Sequence, residues 1–392
     1  MKLHLTNWRL VLAAFLFPNI ISAQVWTQTS APTNNWQSIA CSADGSKLVA
    51  AVDGGGIYTS TNFGGNWTSN NLPSMSWNSV ASSADGNKLA AAVFSGGIYT
   101  STNAGTTWIS NNLASKSWNS IASSADGSIL VATYVQNYVT GQNFVIVSTN
   151  AGAIWFSNQA PAGGPGLYGV NLSASGSRLA AGINTGSIMV SSNLGKSWLA
   201  TNNLNAGSFK SIVSSADGGK LAAVYGGATV FTSANAGISW TNSTISSADI
   251  VSVTISADGN KLSAFGSIPS MAAYVFISTN LGITWITNVQ SVSGWKSIAT
   301  SADGNRLAAV VYRGGIWVAQ TMPSPRLNFT TANAALKVSW MVPSTNFVIQ
   351  QSTDFQNWTD ATNAPTLNLT NLQNEIVLPS AGGNYFYRLK TP

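Results

Sequence analysis

The chain has 392 residues but a single histidine, His4, and a single cysteine, Cys41. Because His4 lies within the first few residues, the remainder of the chain cannot build a Ser-His-Asp or Cys-His catalytic site or a zinc site that uses histidine. One cysteine also excludes an intramolecular disulfide and a thiolate metal cluster. We therefore expect neither a metal site nor a cofactor.

Carboxylates are also scarce, since Glu375 is the only glutamate and charged residues make up 7% of the chain, against roughly a quarter in typical domains. Glycoside hydrolysis needs a pair of carboxylates. Most aspartates recur at one position of a sequence repeat, namely Asp44, Asp85, Asp126, Asp217, Asp258 and Asp303. Before residue 323 this leaves Asp53 and Asp249 as the acids that a hydrolase would have to use.

The first 23 residues have the pattern of a secretory signal peptide. Lys2 and Arg9 flank the start, residues 11–21 are mostly apolar, and Ser22-Ala23 supplies the small residues of a cleavage site. The apolar stretch is short for a transmembrane helix. We therefore expect cleavage near Ala23, a secreted, periplasmic or cell-surface location, and a protein that is not an integral membrane protein.

The most informative feature present is a repeat. The pattern S-x-N-x-G-x-x-W occurs six times, with its asparagine at Asn62, Asn103, Asn150, Asn193, Asn235 and Asn280. Each copy belongs to a longer unit, W-x-S-I-A-x-S-A-D-G-x-K-L-A-A, and units 1 to 7 begin at Trp36, Trp77, Trp118, Leu167, Phe209, Ile250 and Trp295. A period of about 40 residues is typical of a propeller or another repeat array.

Each unit is predicted to form four short strands. In unit 2 these are residues 77–83, 88–94, 98–102 and 108–110, with Ala84-Asp85-Gly86-Asn87 as the turn between the first two. One such sheet cannot bury both of its faces alone, so neighbouring sheets are expected to pack around an axis.

The eight-residue pattern resembles the Asp-box (BNR repeat) of sialidase-like propellers, normally S-x-D-x-G-x-T-W, with Asn in place of Asp in all six copies. The resemblance implies a β-propeller whose boxes lie at the blade periphery, where the Asn side chain caps backbone N–H groups in a turn. We interpret the box as scaffold. The F-R-I-P stretch of sialidases is missing, which disfavours sialidase activity. A hydrolase similar to the Asp-box xyloglucanases stays possible and would have to use Asp53 and Asp249 as its acids.

The seventh unit runs to Trp317 and then loses the pattern, so its fourth strand is missing. Trp26 lies ten residues before Trp36, as Trp67 precedes Trp77, and so residues 25–27 are predicted to supply that strand. The prediction is an all-β chain with a seven-bladed propeller at residues 24–322, closed by the N-terminal strand. A linker at 323–327 and a small β-sandwich-like module at 328–392 follow.

Charge in the repeat is balanced, because a cation stands three residues beyond the turn position of the aspartates in six units, at Lys47, Lys88, Arg178, Lys220, Lys261 and Arg306. A solvated face with a charge ring is expected there. A nucleic-acid partner, which needs an unbalanced basic patch, is not.

A ligand is expected on the face away from the boxes, where the units differ most from one another. Loops on a rigid scaffold are where binding usually resides, and aromatic rings there could stack on sugars or anchor a peptide. The predicted ligand-binding residues are Asp53, Phe94, Tyr134, Tyr138, Tyr225, Phe265, Tyr274, Tyr312 and Arg313. Two hypotheses remain open: a non-catalytic propeller that binds an unknown protein, glycan or envelope component, and a polysaccharide-acting glycoside hydrolase.

Overall fold

The computed structural model describes residues 26–111, 113–137, 142–159, 166–183, 186–201, 209–245, 249–267, 273–290, 292–320, 328–332, 335–341, 348–354, 356–361, 365–368, 373–378 and 386–390. The predicted signal peptide, the linker and Tyr138 lie outside these ranges. All regular structure within them is β-strand, which confirms the all-β prediction. No helix among these residues is long and apolar enough to cross a membrane.

Twenty-six strands precede residue 321. The first eleven are β1 (Trp26–Gln28), β2 (Asn34–Cys41), β3 (Leu48–Ser60), β4 (Thr68–Ser82), β5 (Leu89–Gly96), β6 (Ile98–Ser101), β7 (Ile109–Ser110), β8 (Lys116–Ser123), β9 (Leu130–Asn137), β10 (Gln142–Ser148) and β11 (Phe156–Gln159). The next twelve are β12 (Leu167–Leu172), β13 (Leu179–Ile183), β14 (Ile188–Ser191), β15 (Leu199–Ala200), β16 (Phe209–Ser214), β17 (Leu221–Tyr225), β18 (Thr229–Ser233), β19 (Thr241–Thr244), β20 (Asp249–Ile255), β21 (Leu262–Ser267), β22 (Ala273–Ser278) and β23 (Ile286–Gln290). The last three are β24 (Trp295–Thr300), β25 (Arg306–Gly314) and β26 (Ile316–Gln320).

Antiparallel four-stranded sheets are the repeating element. Units 4, 5 and 6 each form a separate sheet, β12–β15, β16–β19 and β20–β23. The strands of units 7, 1, 2 and 3 are joined into one fourteen-stranded sheet, because β25 pairs with β2, β3 with β4 and β5 with β8. The second, third and fourth strands of unit 2 begin and end within a few residues of the predicted positions. The first strand is the exception, because β4 begins at Thr68 and also contains the fourth strand of unit 1.

The N-terminal strand closes the array as predicted. Trp26 pairs with Ala319, Thr27 with Val318 and Gln28 with Trp317, so β1 forms the outer strand beside β26. Trp26 is buried and its ring lies 5.5 Å from that of Trp295 and 5.3 Å from that of Phe265. The two ends of the repeat region are therefore held in one sheet.

The turns between the first and second strands of the units, called inner turns from here on, are linked in a closed ring. The N–H of the alanine in each inner turn donates to the carbonyl of its counterpart in the next, at 2.7–2.8 Å, through Ala43, Ala84, Ala125, Ala174, Ala216, Ala257, Ala302 and back to Ala43. Such a ring forms only when the sheets are arranged around a common axis, which is the architecture of a propeller.

Side chains stabilise each inner turn from within. In unit 2, Ser83 donates to Asp85 (2.5 Å) and its hydroxyl oxygen accepts the N–H of Lys88 (3.0 Å). Gly86 has a φ of +67°, and the Lys47 side chain of the preceding unit lies directly against it. Glycine meets both requirements, since a Cβ would strain the backbone and collide with the lysine stem.

The six boxes form the turns between third and fourth strands. In unit 2, Ser101 donates to the side-chain oxygen of Asn103 (3.0 Å), and that oxygen accepts the N–H of Thr107 (2.9 Å). The same two bonds recur at Asn62, Asn150, Asn193, Asn235 and Asn280. The asparagine thus acts through local hydrogen bonds, as the sequence predicted.

The core lies between adjacent sheets and is centred on the first residue of each unit. Trp36, Trp77 and Trp118 are 2% exposed or less. Leu167, Phe209, Ile250 and Trp295 occupy the corresponding positions of the other units and are also buried. Each unit therefore buries the large side chain at its start against its own sheet and its neighbour.

The C-terminal region has a small core of its own. Its strands are β27 (Asn328–Ala332), β28 (Ala335–Met341), β29 (Val348–Ser352), β30 (Thr359–Asp360), β31 (Thr366–Asn368), β32 (Gln373–Leu378) and β33 (Phe386–Lys390). They form a four-stranded and a three-stranded sheet that enclose Val338, Trp340, Ile349, Ile376 and Leu378. This arrangement is sandwich-like, as predicted.

Candidate functional site

The propeller has two faces that differ in regularity. The inner turns and the boxes lie together, because the residue after the box asparagine donates its N–H to the inner turn of the same unit, for example Ala104 to Asn87 at 2.8 Å. We call this side the turn face. The opposite face is formed by the other ends of the same strands, where each first strand begins and each second strand ends.

Three consecutive units form equivalent turns at the opposite face. Asp53, Phe94 and Tyr312 stand at matching positions near the ends of β3, β5 and β25, and each pairs with the residue immediately before the next unit's tryptophan, namely Ser76, Ser117 and Asn35. The turn that follows has a positive φ at Gly54 (74°), Ser95 (57°) and Arg313 (55°). Units 7, 1 and 2 therefore present the same backbone with different side chains.

The side chains on these turns are unusually open. Phe94 is 43% exposed and Tyr312 38% exposed, while Arg313 is exposed and lies 5.5 Å from the Tyr312 ring centroid. A left-handed conformation costs a non-glycine residue on the order of 1 kcal/mol or more. Arg313 thus occupies a strained position at which its guanidinium contacts only the neighbouring ring among the described residues.

Close to the axis, every unit has a β-bulge in its first strand, immediately after the first residue of the unit. We call the bulged residues the bulge ring, and they are Gln37, Asn78, Asn119, Tyr168, Lys210, Val251 and Lys296. A bulge re-aims the extra side chain out of the sheet. Sequence reasoning did not single out this ring, although its members follow the first residue of each unit.

The bulge ring has two dissimilar halves. Gln37 donates to Asn78 (3.1 Å), Asn78 donates to the Trp118 carbonyl (2.9 Å) and Asn119 donates to the Leu167 carbonyl (2.9 Å). These amides bind one another and the backbone. In the other half, Tyr168 is 37% exposed and Lys210 and Lys296 are exposed.

Three of the predicted ligand-binding aromatics are instead in the core. Tyr134 and Tyr225 pair with Trp118 and Phe209, at the register of Val93 rather than Phe94, and Phe265 lies at the register of Ala92. They are 7%, 2% and 0% exposed. The structure thus places these rings in the packed interior and not on the exposed surface where they were expected, because an offset of one or two residues moves a side chain from the end of a strand into its interior.

Two further predicted residues are accounted for differently. Tyr274 is half-buried within β22 and stacks on Phe276 with 5.9 Å between ring centroids. Tyr138 lies outside the described residues. The exposed members of the predicted set are therefore Phe94, Tyr312 and Arg313, with Asp53 half-buried beside them.

The two candidate catalytic acids do not share a sheet. Asp53 belongs to β3, whereas Asp249 begins β20 and accepts the Gly227 N–H of the neighbouring sheet at 2.7 Å. The strands of unit 7 stand between them, since β24 contacts both β20 and β2. In the part of the chain that the structure describes, no cluster of carboxylates, histidines or cysteines could hold a metal ion.

Comparisons with known proteins support the fold. A family model described as "BNR-Asp box repeat" matches residues 57–69, and no curated protein matches the sequence. A structure described as "YCF48 bound to D1 peptide" is similar over 77% of this chain and 98% of its own, with a TM-score of 0.59 and 16% identity. The Myceliophteria thermophila Cps50 (Swd1) β-propeller domain is similar over 76% of this chain and 100% of its own, with a TM-score of 0.61 and 12% identity.

A GH74 xyloglucanase from Xanthomonas campestris is similar over 81% of this chain and 59% of its own, with a TM-score of 0.59 and 16% identity. The similar structures thus include an enzyme, a propeller with a bound peptide and a propeller domain. At these identities the likeness concerns the fold, and the fold shown is a β-propeller that contains a BNR-Asp box repeat.

Proposed function

We propose that this protein is a secreted, non-catalytic propeller of seven blades that binds a protein or glycan through its opposite face. The observation that carries the proposal is the exposure of Phe94, Tyr312 and Arg313 on equivalent turns of neighbouring units. The signal-peptide pattern of residues 1–23 supports secretion. The ring of seven inner turns and the strand that β1 adds to unit 7 support seven blades.

The exposed rings have no evident role in folding. The neighbouring core already encloses Trp36, Trp77 and Val311, whereas Phe94 and Tyr312 extend beyond it. Exposed large aromatic residues rimmed by polar groups are typical of binding surfaces.

A propeller bound to a peptide has a similar fold, and binding without catalysis is consistent with the composition of this chain. The single histidine, His4, lies in the predicted signal peptide, and the single glutamate, Glu375, lies in the C-terminal region. Asp249 accepts a hydrogen bond from the backbone of the preceding unit. The opposite face therefore offers rings, amides and cations rather than an acid and a base held together.

The binding proposal is tested with the protein that begins at residue 24. A glycan array and a pull-down identify a ligand, and Phe94→Ala and Tyr312→Ala are each expected to weaken it by ~1–3 kcal/mol with little change in melting temperature. Ile109→Ala and Leu199→Ala remove exposed side chains of the outer strands and serve as matched controls. A ligand that is retained by both aromatic variants and lost in a control would place the site elsewhere.

The similarity to a xyloglucanase keeps a glycoside hydrolase as the second candidate. Two-carboxylate mechanisms need the acids within about 5–10 Å of each other, and here Asp53 belongs to unit 1 and Asp249 begins unit 6, with unit 7 between them. We expect no turnover of xyloglucan or of sialosides. Turnover that disappears in Asp53→Asn and in Asp249→Asn, with folding intact, would replace the binding proposal.

A further inference from the structure

The cations of the two faces differ in what they contact. On the turn face, Lys47, Lys88, Lys220, Lys261 and Arg306 each donate a hydrogen bond to the next inner turn. On the opposite face, Lys116 lies over the Tyr134 ring and Arg313 over the Tyr312 ring, while Lys210 and Lys296 extend from the bulge ring. Within the described ranges, none of these four cations forms an ion pair.

Acidic groups on the opposite face balance only part of this charge. Asp53 and Asp249 supply two negative charges against the four cations, which leaves the face positive. Lys210, Lys296 and Arg313 are exposed to solvent, whereas Lys116 and the amides of the bulge ring are half-buried. A surface of this kind attracts anions, and the attraction is concentrated because three of the four cations, Lys116, Lys296 and Arg313, belong to units 3 and 7 on either side of Asp53 and Phe94.

The exposed apolar groups of the opposite face are all aromatic. Among the described residues before 321, the exposed aliphatic side chains are on the boxes and outer strands, at Ile109, Ile154, Leu199, Ile238, Ile283 and Ile286. The opposite face instead exposes Phe94, Tyr168 and Tyr312. Flat rings suit the faces of sugars, and the described part of the opposite face exposes no large aliphatic side chain that could anchor a side chain of a peptide.

We propose that the ligand of the opposite face is an anionic polysaccharide, a chain of sugars that carries carboxylate or sulfate groups. Lys210, Lys296 and Arg313 pair with its anionic groups, and Phe94 and Tyr312 stack on its sugars. The inference rests on the proposed function and names the class of ligand. Each charge contact is exposed, so affinity comes from several contacts along one chain and falls with salt.

Affinity electrophoresis of the protein that begins at residue 24 tests the proposal. The gels contain polygalacturonate, dextran sulfate, neutral dextran or poly-glutamate. We expect retardation by the two anionic polysaccharides, reduced by salt, and none by dextran or poly-glutamate. Arg313→Gln and the double variant Lys210→Gln with Lys296→Gln are expected to weaken binding by about fivefold per charge removed.

The matched control removes the same charge from the other face. The double variant Lys88→Gln with Lys220→Gln is expected to keep its affinity within about twofold, since these lysines face away from the site. An equal loss in this control would show a non-specific charge effect and overturn the inference. Equal retardation by poly-glutamate would overturn it in favour of an acidic peptide.

The outcomes separate this inference from the proposed function. A neutral glycan bound through Phe94 and Tyr312, with no effect of Arg313→Gln or of the lysine variants, would leave the binding function standing and refute the anionic ligand. If no polysaccharide retards the protein and the glycan array and pull-down also find no ligand dependent on Phe94 and Tyr312, the proposed function fails with it.

Discussion

At the turn face every unit makes nearly the same contacts with its neighbour, whereas at the opposite face the units share a backbone and differ in side chains. The inner turns close a ring of hydrogen bonds through alanine backbones. The opposite face varies from Asp53 to Phe94 to Tyr312 at one register position. Repetition is thus retained where it holds the sheets together and given up where a ligand could bind.

The comparison predicts that substitutions at the seam and the turn face change stability, and that those at the opposite face change binding. The two cations most alike in chemistry illustrate it. Arg306 donates to the Asp44 carbonyl across the seam at 3.1 Å, whereas Arg313, seven residues later in the same strand, contacts only the Tyr312 ring among the described residues.

The largest effect is expected at the seam. Trp26→Ala removes a buried ring that packs on Trp295 and Phe265, and it should lower the free energy of unfolding by roughly 3–5 kcal/mol. Phe94→Ala, which truncates an exposed ring of the opposite face, should cost less than about 0.5 kcal/mol. Urea unfolding measures both, and equal losses would erase the distinction between the two regions.

A box at the periphery should contribute less. Asn103→Ala leaves the Thr107 N–H and the Ser101 hydroxyl without their acceptor and is expected to cost about 1 kcal/mol. Asn103→Asp keeps that acceptor and gives Thr107 a second one, so it should be tolerated. The midpoints of thermal melting compare the two variants, and indistinguishable values for Ala, Asp and Asn would mean that the side chain does not cap the turn.

Much of the fold was predictable because each unit repeats the same strand and turn sequence patterns. The strands were predictable from the turn glycines and from the alternation of large and small residues. The seam was predictable because Trp26 precedes Trp36 by ten residues, as Trp67 precedes Trp77. The surface was harder to predict. Tyr134, Tyr225 and Phe265 were misplaced because register decides which end of a strand is exposed, and register in these units is shifted by the bulge that precedes the pairing.

The same limit explains why the bulge ring escaped prediction. A bulge is a property of two paired strands, so the sequence of one strand does not reveal that Lys210 and Lys296 are the extra residues. The six left-handed residues after the box asparagines were also missed, because Phe63, Ala104, Ala151, Leu194, Ala236 and Leu281 carry none of the usual signals for a positive φ. The following glycine takes a positive φ as well, which the sequence does indicate.

Acid should weaken the turn face selectively. Burial works to raise the pKa values of Asp44, Asp85, Asp126, Asp217 and Asp258, but hydrogen bonds from the turn serines and the cation of the preceding unit outweigh it and lower them. A lowered pKa in the folded state gives stability that is present above the unfolded pKa, near 3.9, and is lost as the pH falls through the folded values.

The melting temperature should therefore be level between about pH 5 and pH 7 and fall below about pH 4. Asp303 acts in the other direction, because burial outweighs its hydrogen bonds and raises its pKa. Protonation of Asp303 therefore stabilises the folded state instead of destabilising it. Asp303→Asn should then steepen the fall slightly. The effect per carboxylate is modest, because solvent screens these partly exposed groups. A melting temperature that rises on acidification to pH 3 would contradict the assignment.

The smallest predicted effect concerns the one inner-turn contact that lacks charge. Each cation of the turn face lies against the inner turn of the next unit, but unit 3 has Ile129 in place of the cation and unit 4 has Ser175 in place of the aspartate, and Ile129 packs against Gly176 in the same way. The contact between units 3 and 4 therefore lacks both the cation and the aspartate.

Restoring both should recover the coupling that the other units have. Ile129→Lys with Ser175→Asp is expected to be more stable than the sum of the single variants by about 0.2–1 kcal/mol, as for exposed ion pairs, and the gain should shrink in high salt. A double-mutant cycle in urea at two salt concentrations measures it. An absence of coupling at low salt would mean that the charges of the turn face do not stabilise the contacts between units. The ring of alanine hydrogen bonds would then be the element of the turn face that joins them.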